Sequence, residues 1–141
     1  PEIFARVQPR DSLKRKQFEK GILQLSQEGA IQIFNQKHVG LESFVVGVVG
    51  QLQLEVLEYR LQNEYNAQLI MTALPFTVAR WVYAEDPRAI ESLRGLDNGM
   101  LVYDKNDRPV ILVNNEWALN WILQRNQGLE FLTVPPDKAR V

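Results

Sequence analysis

The sequence predicts an α/β chain of the α+β type, with a mixed, mostly antiparallel sheet and its helices on one face. Three observations carry this. Phe44-Val45-Val46-Gly47-Val48-Val49-Gly50 is an apolar, β-branched run that suits a central strand covered on both faces. Phe18, Ile22 and Leu25, and later Leu54, Leu57, Leu61 and Tyr65, fall at helical spacing and make two buried stripes. The order strand, helix, strand, strand, helix, strand is completed by about residue 74 and then repeats.

In chain order, Ile3 to Val7 reads as a strand, with Phe4, Arg6 and Gln8 on the face opposite Ile3 and Val7. Asp11 or Ser12 caps the helix that follows, which runs to about Gln27. Gly29 is placed to end it in a left-handed conformation. Ala30 to Phe34 is a short strand, and Asn35 to Ser43 is a polar loop holding Lys37, His38 and Gly40. After the apolar run, a helix spans about Leu52 to Tyr65, Asn66 terminates it, and Ala67 to Leu74 is a strand.

The second half reads in the same order. Thr77 to Tyr83 is a strand, Asp86-Pro87 opens a helix whose Ile90 and Leu93 face inward, and Asp104 to Asp107 turns a hairpin between Met100–Tyr103 and Val110–Val113. Glu116 to Gln127 is a helix capped by Gly128, and Leu129 to Val134 is the last strand.

That order is the ferredoxin-like split βαβ arrangement. Two such units in tandem are expected, residues 1–74 as a βαββαβ unit and 75–141 as a second α/β unit. One larger mixed sheet with a common core stays open, because no Gly/Ser linker separates the halves and Pro75 alone is a weak boundary.

Bulk properties narrow the function classes. A chain of 141 residues buries about two-thirds of its unfolded surface and needs no disulfide or metal to fold. The net charge is −1, with 8 basic and 8 acidic residues before Pro75 and 8 and 9 from there on, so any RNA contact must use a local patch. There are no cysteines, which excludes a disulfide scaffold, a thiolate zinc site and a cysteine nucleophile, and fits a reducing cytoplasm. No stretch approaches the roughly 18 apolar residues of a membrane span. No signal peptide opens the chain, and the start Pro1-Glu2-Ile3, without methionine, predicts a piece of a longer protein.

Reactive constellations are missing. There is no Gly-x-x-x-x-Gly-Lys-Ser/Thr loop and no Gly-x-Gly-x-x-Gly. Gly47 and Gly50 leave only a strand-to-helix turn, whose amides could face an anion but which more simply reflects tight packing. His38 has no orienting carboxylate and reads as a surface loop residue. Glu55, Glu58 and Glu64 read as a solvated helix face, with Glu64 and Arg60 as an i, i+4 pair. Asp104 and Asp107 suit a turn. Trp117, Trp121 and Ile122 could form a stacking platform, but at helical spacing they read first as core or interface. No catalytic residue, cofactor ligand or metal ligand is assigned. One local signal remains: Arg10, Lys14, Arg15, Lys16 and Lys20 place five cations in eleven residues, offset by Asp11 and Glu19, with Lys16 and Lys20 on one helix face that reads otherwise as solvated exterior. They are the candidate RNA contacts.

Leu23-Gln24-Leu25-Ser26-Gln27-Glu28-Gly29-Ala30, the block Val46 to Leu54, Arg60-Leu61, Glu64-Tyr65-Asn66 and Ala79-Arg80-Trp81-Val82 occur in order along the chain. Through them the sequence resembles the C-terminal domain of the peptide chain release factor 3 family of bacterial translational GTPases. The opening Pro1-Glu2-Ile3-Phe4 is similar to that family's handover from second to third domain. Gly50 to Tyr65 is also similar to the third domain of elongation factor G, which is ferredoxin-like. Arg94 to Val113 and the tail after Pro135 depart from the family pattern.

The resemblance implies a cytoplasmic ribosome-docking domain that is not itself an enzyme. Its partners would be small-subunit RNA and protein, the preceding domains of the same protein and, indirectly, class I release factors. GTP and magnesium would belong to the parent protein's GTPase domain, outside this sequence. The rival reading, a ligand-sensing regulatory α/β module, rests on fold analogy alone.

Overall fold

The structure, a computed structural model, describes residues 3–36, 43–91, 93, 99–126 and 128–136. The expectations for Lys37, His38, Gly40 and Arg94 lie outside these residues. The chain divides into two compact units, Pro1–Leu74 and Pro75–Val141.

In the first unit, β1 (Ile3–Pro9), α1 (Arg15–Gln27), β2 (Gln32–Phe34), β3 (Phe44–Val48), α2 (Gln51–Glu64) and β4 (Leu69–Leu74) follow in sequence. The sheet order is β2-β3-β1-β4, and every neighbouring pair is antiparallel. Alternation along the strands separates the faces. Ala5, Val7, Val46, Val48, Ile33 and Leu69 join Phe18, Ile22 and Leu25 of α1 and Leu54, Leu57 and Leu61 of α2 in one core. Phe4 and Phe34, with ring centroids 6.2 Å apart, stand on the opposite face with Arg6. Val45 and Val46 point to opposite faces and are both buried, as the unbroken apolar run of β3 predicts.

The ends of these helices are set by identifiable groups. Asp11 accepts from the Leu13 amide at 2.9 Å and caps a single 3₁₀ turn, Ser12–Lys14, so the α-helix proper starts three residues later than the capping residue suggests. At the other end of α1, Gly29 adopts φ +81°, which lets the Ala30 amide return to the Leu25 carbonyl at 3.1 Å. Asn66, at φ 53°, turns the chain out of α2, and the Ala67 amide donates to the Leu61 carbonyl at 3.0 Å.

The second unit repeats the order with β5 (Val78–Ala84), α3 (Pro87–Glu91), β6 (Gly99–Tyr103), β7 (Pro109–Val113), α4 (Glu116–Arg125) and β8 (Leu129–Leu132). Its sheet is β6-β7-β5-β8, again antiparallel throughout. Val82, Ile111, Val113, Ala118, Leu119, Ile122 and Leu129 form its core, with Ile90 and Leu93 packed at the margin. Both units therefore have the strand order and helix placement of the split βαβ arrangement. α4 stops two residues short of the expected end. The Asn126 backbone is extended, and its side-chain amide donates to the Ile122 carbonyl at 2.7 Å, closing the last turn in place of Gly128.

Candidate nucleic-acid interface

The five predicted cations gather where β1 hands over to α1. Arg10 follows the last strand residue, with its amide donating to the Gln68 carbonyl at 2.9 Å. Lys14 is half-buried at the end of the 3₁₀ turn, and Arg10, Arg15, Lys16 and Lys20 are exposed. Phe18, Gly21, Ile22 and Leu25 hold α1 down on the sheet. At 100° per residue this turns Lys16 and Lys20 directly away from the core and leaves Arg15 on the flank. Arg15 lies 3.9 Å from Glu19. Leu13, between Arg10 and Lys14 in the chain, is 86% exposed.

The electrostatic setting is unusual for a helix start. The first turn of α1 contains no acidic residue, and Lys14 caps it with no side-chain hydrogen bond. The N-terminal end carries about half a positive charge from the aligned peptide dipoles, so cations here cost about 0.3–1 kcal/mol each at low ionic strength. A polyanion laid across this end would reduce that repulsion.

Elsewhere the predicted alternatives are used up by the fold. The turn between Gly47 and Gly50 does not offer its amides to an anion. Gln53 Oε1 accepts from the Val49 amide at 2.6 Å and the Gly50 amide at 3.2 Å. The Gln53 amide nitrogen in turn donates to the Ala30 carbonyl at 3.3 Å, tying α2 to the start of β2. Gln three residues after Gly at a helix start was the readable signal for this cap. Glu55 and Glu58 are exposed. Arg60 donates to Glu64 at 2.6 Å and to Glu28 at 2.7 Å, clamping α2 to the end of α1. The hydrogen bond from Arg60 holds the Glu64 carboxyl below its usual range, and the Glu64 and Glu28 bonds raise the guanidinium further. This is a structural clamp.

Asp104 likewise serves the hairpin. Its carboxylate accepts from the Trp81 indole at 3.0 Å, the Arg108 guanidinium at 2.9 Å and the amides of Asn106 and Arg108 at 2.9 and 3.0 Å. Burial pushes its pKa up, but these four bonds outweigh burial and hold it below the usual carboxylate range.

The aromatic residues of α4 differ from expectation. Ile122 is core, but Trp117 is 68% exposed and Trp121 39% exposed. The helix buries Ala118, Leu119 and Ile122 instead, which puts both indoles outside the apolar stripe. The rings stack with centroids 5.7 Å apart and planes inclined at 24°. Arg125, which sequence reasoning passed over, completes the arrangement with its Cζ 3.4 Å from the Trp121 ring centroid. The i, i+4, i+8 spacing of Trp117, Trp121 and Arg125 was the signal available.

Among the described residues no group of three or more His, Cys, Asp or Glu side chains is placed to hold a metal ion. Among them too, no helix is long and apolar enough to cross a membrane.

Comparison with known proteins decides the family. The family model described as class II release factor RF3, C-terminal domain, matches residues 1–123.

The chain belongs to this release factor family.

It is 43% identical over 134 residues to peptide chain release factor 3 of Listeria welshimeri, covering 95% of this chain and 25% of that protein. It is 42% identical over 133 residues to peptide chain release factor 3 of Symbiobacterium thermophilum, covering 93% and 24%. The protein of that name from Limosilactobacillus reuteri is 40% identical over 125 residues, covering 89% and 23%. The chain thus spans about a quarter of the length of the curated relatives it matches. The RF3 C-terminal-domain match spans Arg94 to Val113 as well. The tail after Pro135 lies beyond the match.

Proposed function

We propose that this chain is the ribosome-docking domain of a GTP-dependent release factor, which promotes departure of class I release factors after translation termination. The chain acts by shape and charge and is not itself an enzyme. GTP and magnesium are held by another domain of the parent protein, in the cytoplasm. Arg10, Lys14, Arg15, Lys16 and Lys20 meet small-subunit RNA, with ribosomal protein and the parent's preceding domains as further neighbours. Class I release factors are affected indirectly, through the state the ribosome adopts.

The observation that carries this reading is the cation cluster at the positive end of α1, without an acidic residue in the first helical turn. Asp11 at the preceding turn and Glu19, 3.9 Å from Arg15, offset part of this charge, and RNA phosphates would offset more. In the mechanism, a nucleotide switch elsewhere reorients this part of the factor. The factor then favours one ribosomal state by its difference in affinity for the two, typically about 1–3 kcal/mol for such coupling.

Filter binding to small ribosomal subunits tests the assignment. Replacing Lys14, Arg15 and Lys16 together by Glu is expected to weaken binding and to lower the slope of log affinity against log salt by roughly two to three units, if each cation neutralises one phosphate. Affinity and slope both equal to the parent chain's would make the cluster plain solvated surface. A ligand-sensing module would instead gain melting temperature with its small molecule and ignore the ribosomal subunit.

A further inference from the structure

The fold has no use for the outer side of α4. Ala118, Leu119 and Ile122 already anchor the helix, yet two indoles and a guanidinium are stacked along its exposed side. Exposing that much aromatic surface is costly for a protein with a sufficient core, and exposed aromatic patches mark binding sites. The column is ordered, with Arg125 on Trp121 and Trp121 beside Trp117. Trp117, the more exposed of the two indoles, stands at the opposite end of the column from Arg125.

From this geometry we propose that Trp117, Trp121 and Arg125 form a stacking site for an unpaired RNA base, separate from the cation cluster on α1. Two features of the column choose RNA over a protein surface. The first is shape: a flat ring at the end of a stack matches a splayed base, which every nucleotide can supply. The second is charge. A guanidinium lying flat on an indole keeps its N–H donors pointing sideways from its edge, where a phosphate can be bound. Among the described residues Arg60, Arg80 and Arg108 are each paired with a carboxylate, whereas none pairs with Arg125. Glu116, the acidic residue of α4, is engaged by Arg80 at 2.8 Å and does not oppose an incoming phosphate. A base on Trp117 and a phosphate beside Arg125 lie about 12 Å apart along the helix, eight residues at 1.5 Å each, within reach of a short single strand.

The test uses the 141-residue chain and its tryptophan fluorescence. Titration with an eight-nucleotide single-stranded oligoadenylate is expected to give saturable quenching, and a blunt RNA duplex of equal length much less. Trp117→Ala should weaken the single-strand affinity roughly ten- to hundredfold, the contribution of one stacked base. Trp117→Phe should restore most of it, and Arg125→Gln should flatten its salt dependence. Lys16→Glu with Lys20→Glu should leave the oligonucleotide affinity within a few-fold. Equal quenching by duplex and single strand, or full affinity in Trp117→Ala with unchanged circular dichroism, overturns the proposal. So does a photo-crosslinker at position 117 that attaches to ribosomal protein and not to RNA on the ribosome. The oligonucleotide results are independent of the small-subunit filter assay, so either site can fail alone.

Discussion

Asp104 shows how one side chain can define a turn. A buried carboxylate is expensive unless its lone pairs are filled, and here four donors from Trp81, Asn106 and Arg108 fill them. Its depressed pKa makes it a stabilising group only while ionised. That contribution is complete above about pH 4, the ordinary value for an unfolded aspartate, and fades as pH falls through the lower folded value. Asp104→Asn is therefore expected to cost about 1–3 kcal/mol at pH 7, the loss of charged hydrogen bonds to partly buried donors. Urea unfolding at pH 7 and pH 3 measures it. The gap between parent and variant should narrow at the acid end, and an undiminished gap at pH 3 would falsify the ionised assignment. A turn was legible from Asp104 to Asp107. The role of Asp104 was not, because its partner Trp81 is 23 residues away on another strand.

At the scale of elements, the contact between α1 and α2 depends on a missing side chain. A Cβ added to Gly21 would lie 2.5 Å from Leu61 Cδ2 and 2.9 Å from Tyr65 Cδ2. Leu61 is fully buried and has little room to yield. Helix propensity favours Gly21→Ala by about 1 kcal/mol, while overpacking costs about 1–3 kcal/mol. The clash is expected to win, with Gly21→Ala losing about 1 kcal/mol and Gly21→Leu considerably more, read from the midpoint of urea denaturation. A stabilised Gly21→Ala would mean the helices can separate without penalty. The stripes Phe18-Ile22-Leu25 and Leu54-Leu57-Leu61 announce two amphipathic helices, and the glycine inside the first is the sole local hint of how closely they approach. α4 is the opposite case. Its apolar and aromatic residues are so dense that period alone cannot say which face is buried, and packing chose Ala118, Leu119 and Ile122 over the larger indoles.

For the whole molecule, each unit closes its own antiparallel ladder around its own core. The expectation of two domains, 1–74 and 75–141, becomes a measurable claim about cooperativity. Ile111→Ala removes a fully buried side chain from the second core and is expected to cost about 2–4 kcal/mol. Amide exchange should speed up by roughly a hundredfold or more in β5, β7 and α4, and by less than tenfold in β1, β3 and α2. Equal acceleration throughout would mean one cooperative domain.

What depends on neighbours along the chain was legible in the sequence: the order of strands and helices, the apolar character of β3, the left-handed end of α1 at Gly29, and the end of α2 at Asn66. The sequence also carried the family resemblance and the cation cluster, since both reside in contiguous residues. Which groups were consumed by the fold, and which were left exposed, depended on packing. Gln53 closes the turn between Gly47 and Gly50, Arg60 joins two helices, and α4 leaves its tryptophans outside. The physical reason is that periodicity reports which faces can be buried, whereas the partner of a polar or aromatic group is set by packing between residues far apart in sequence.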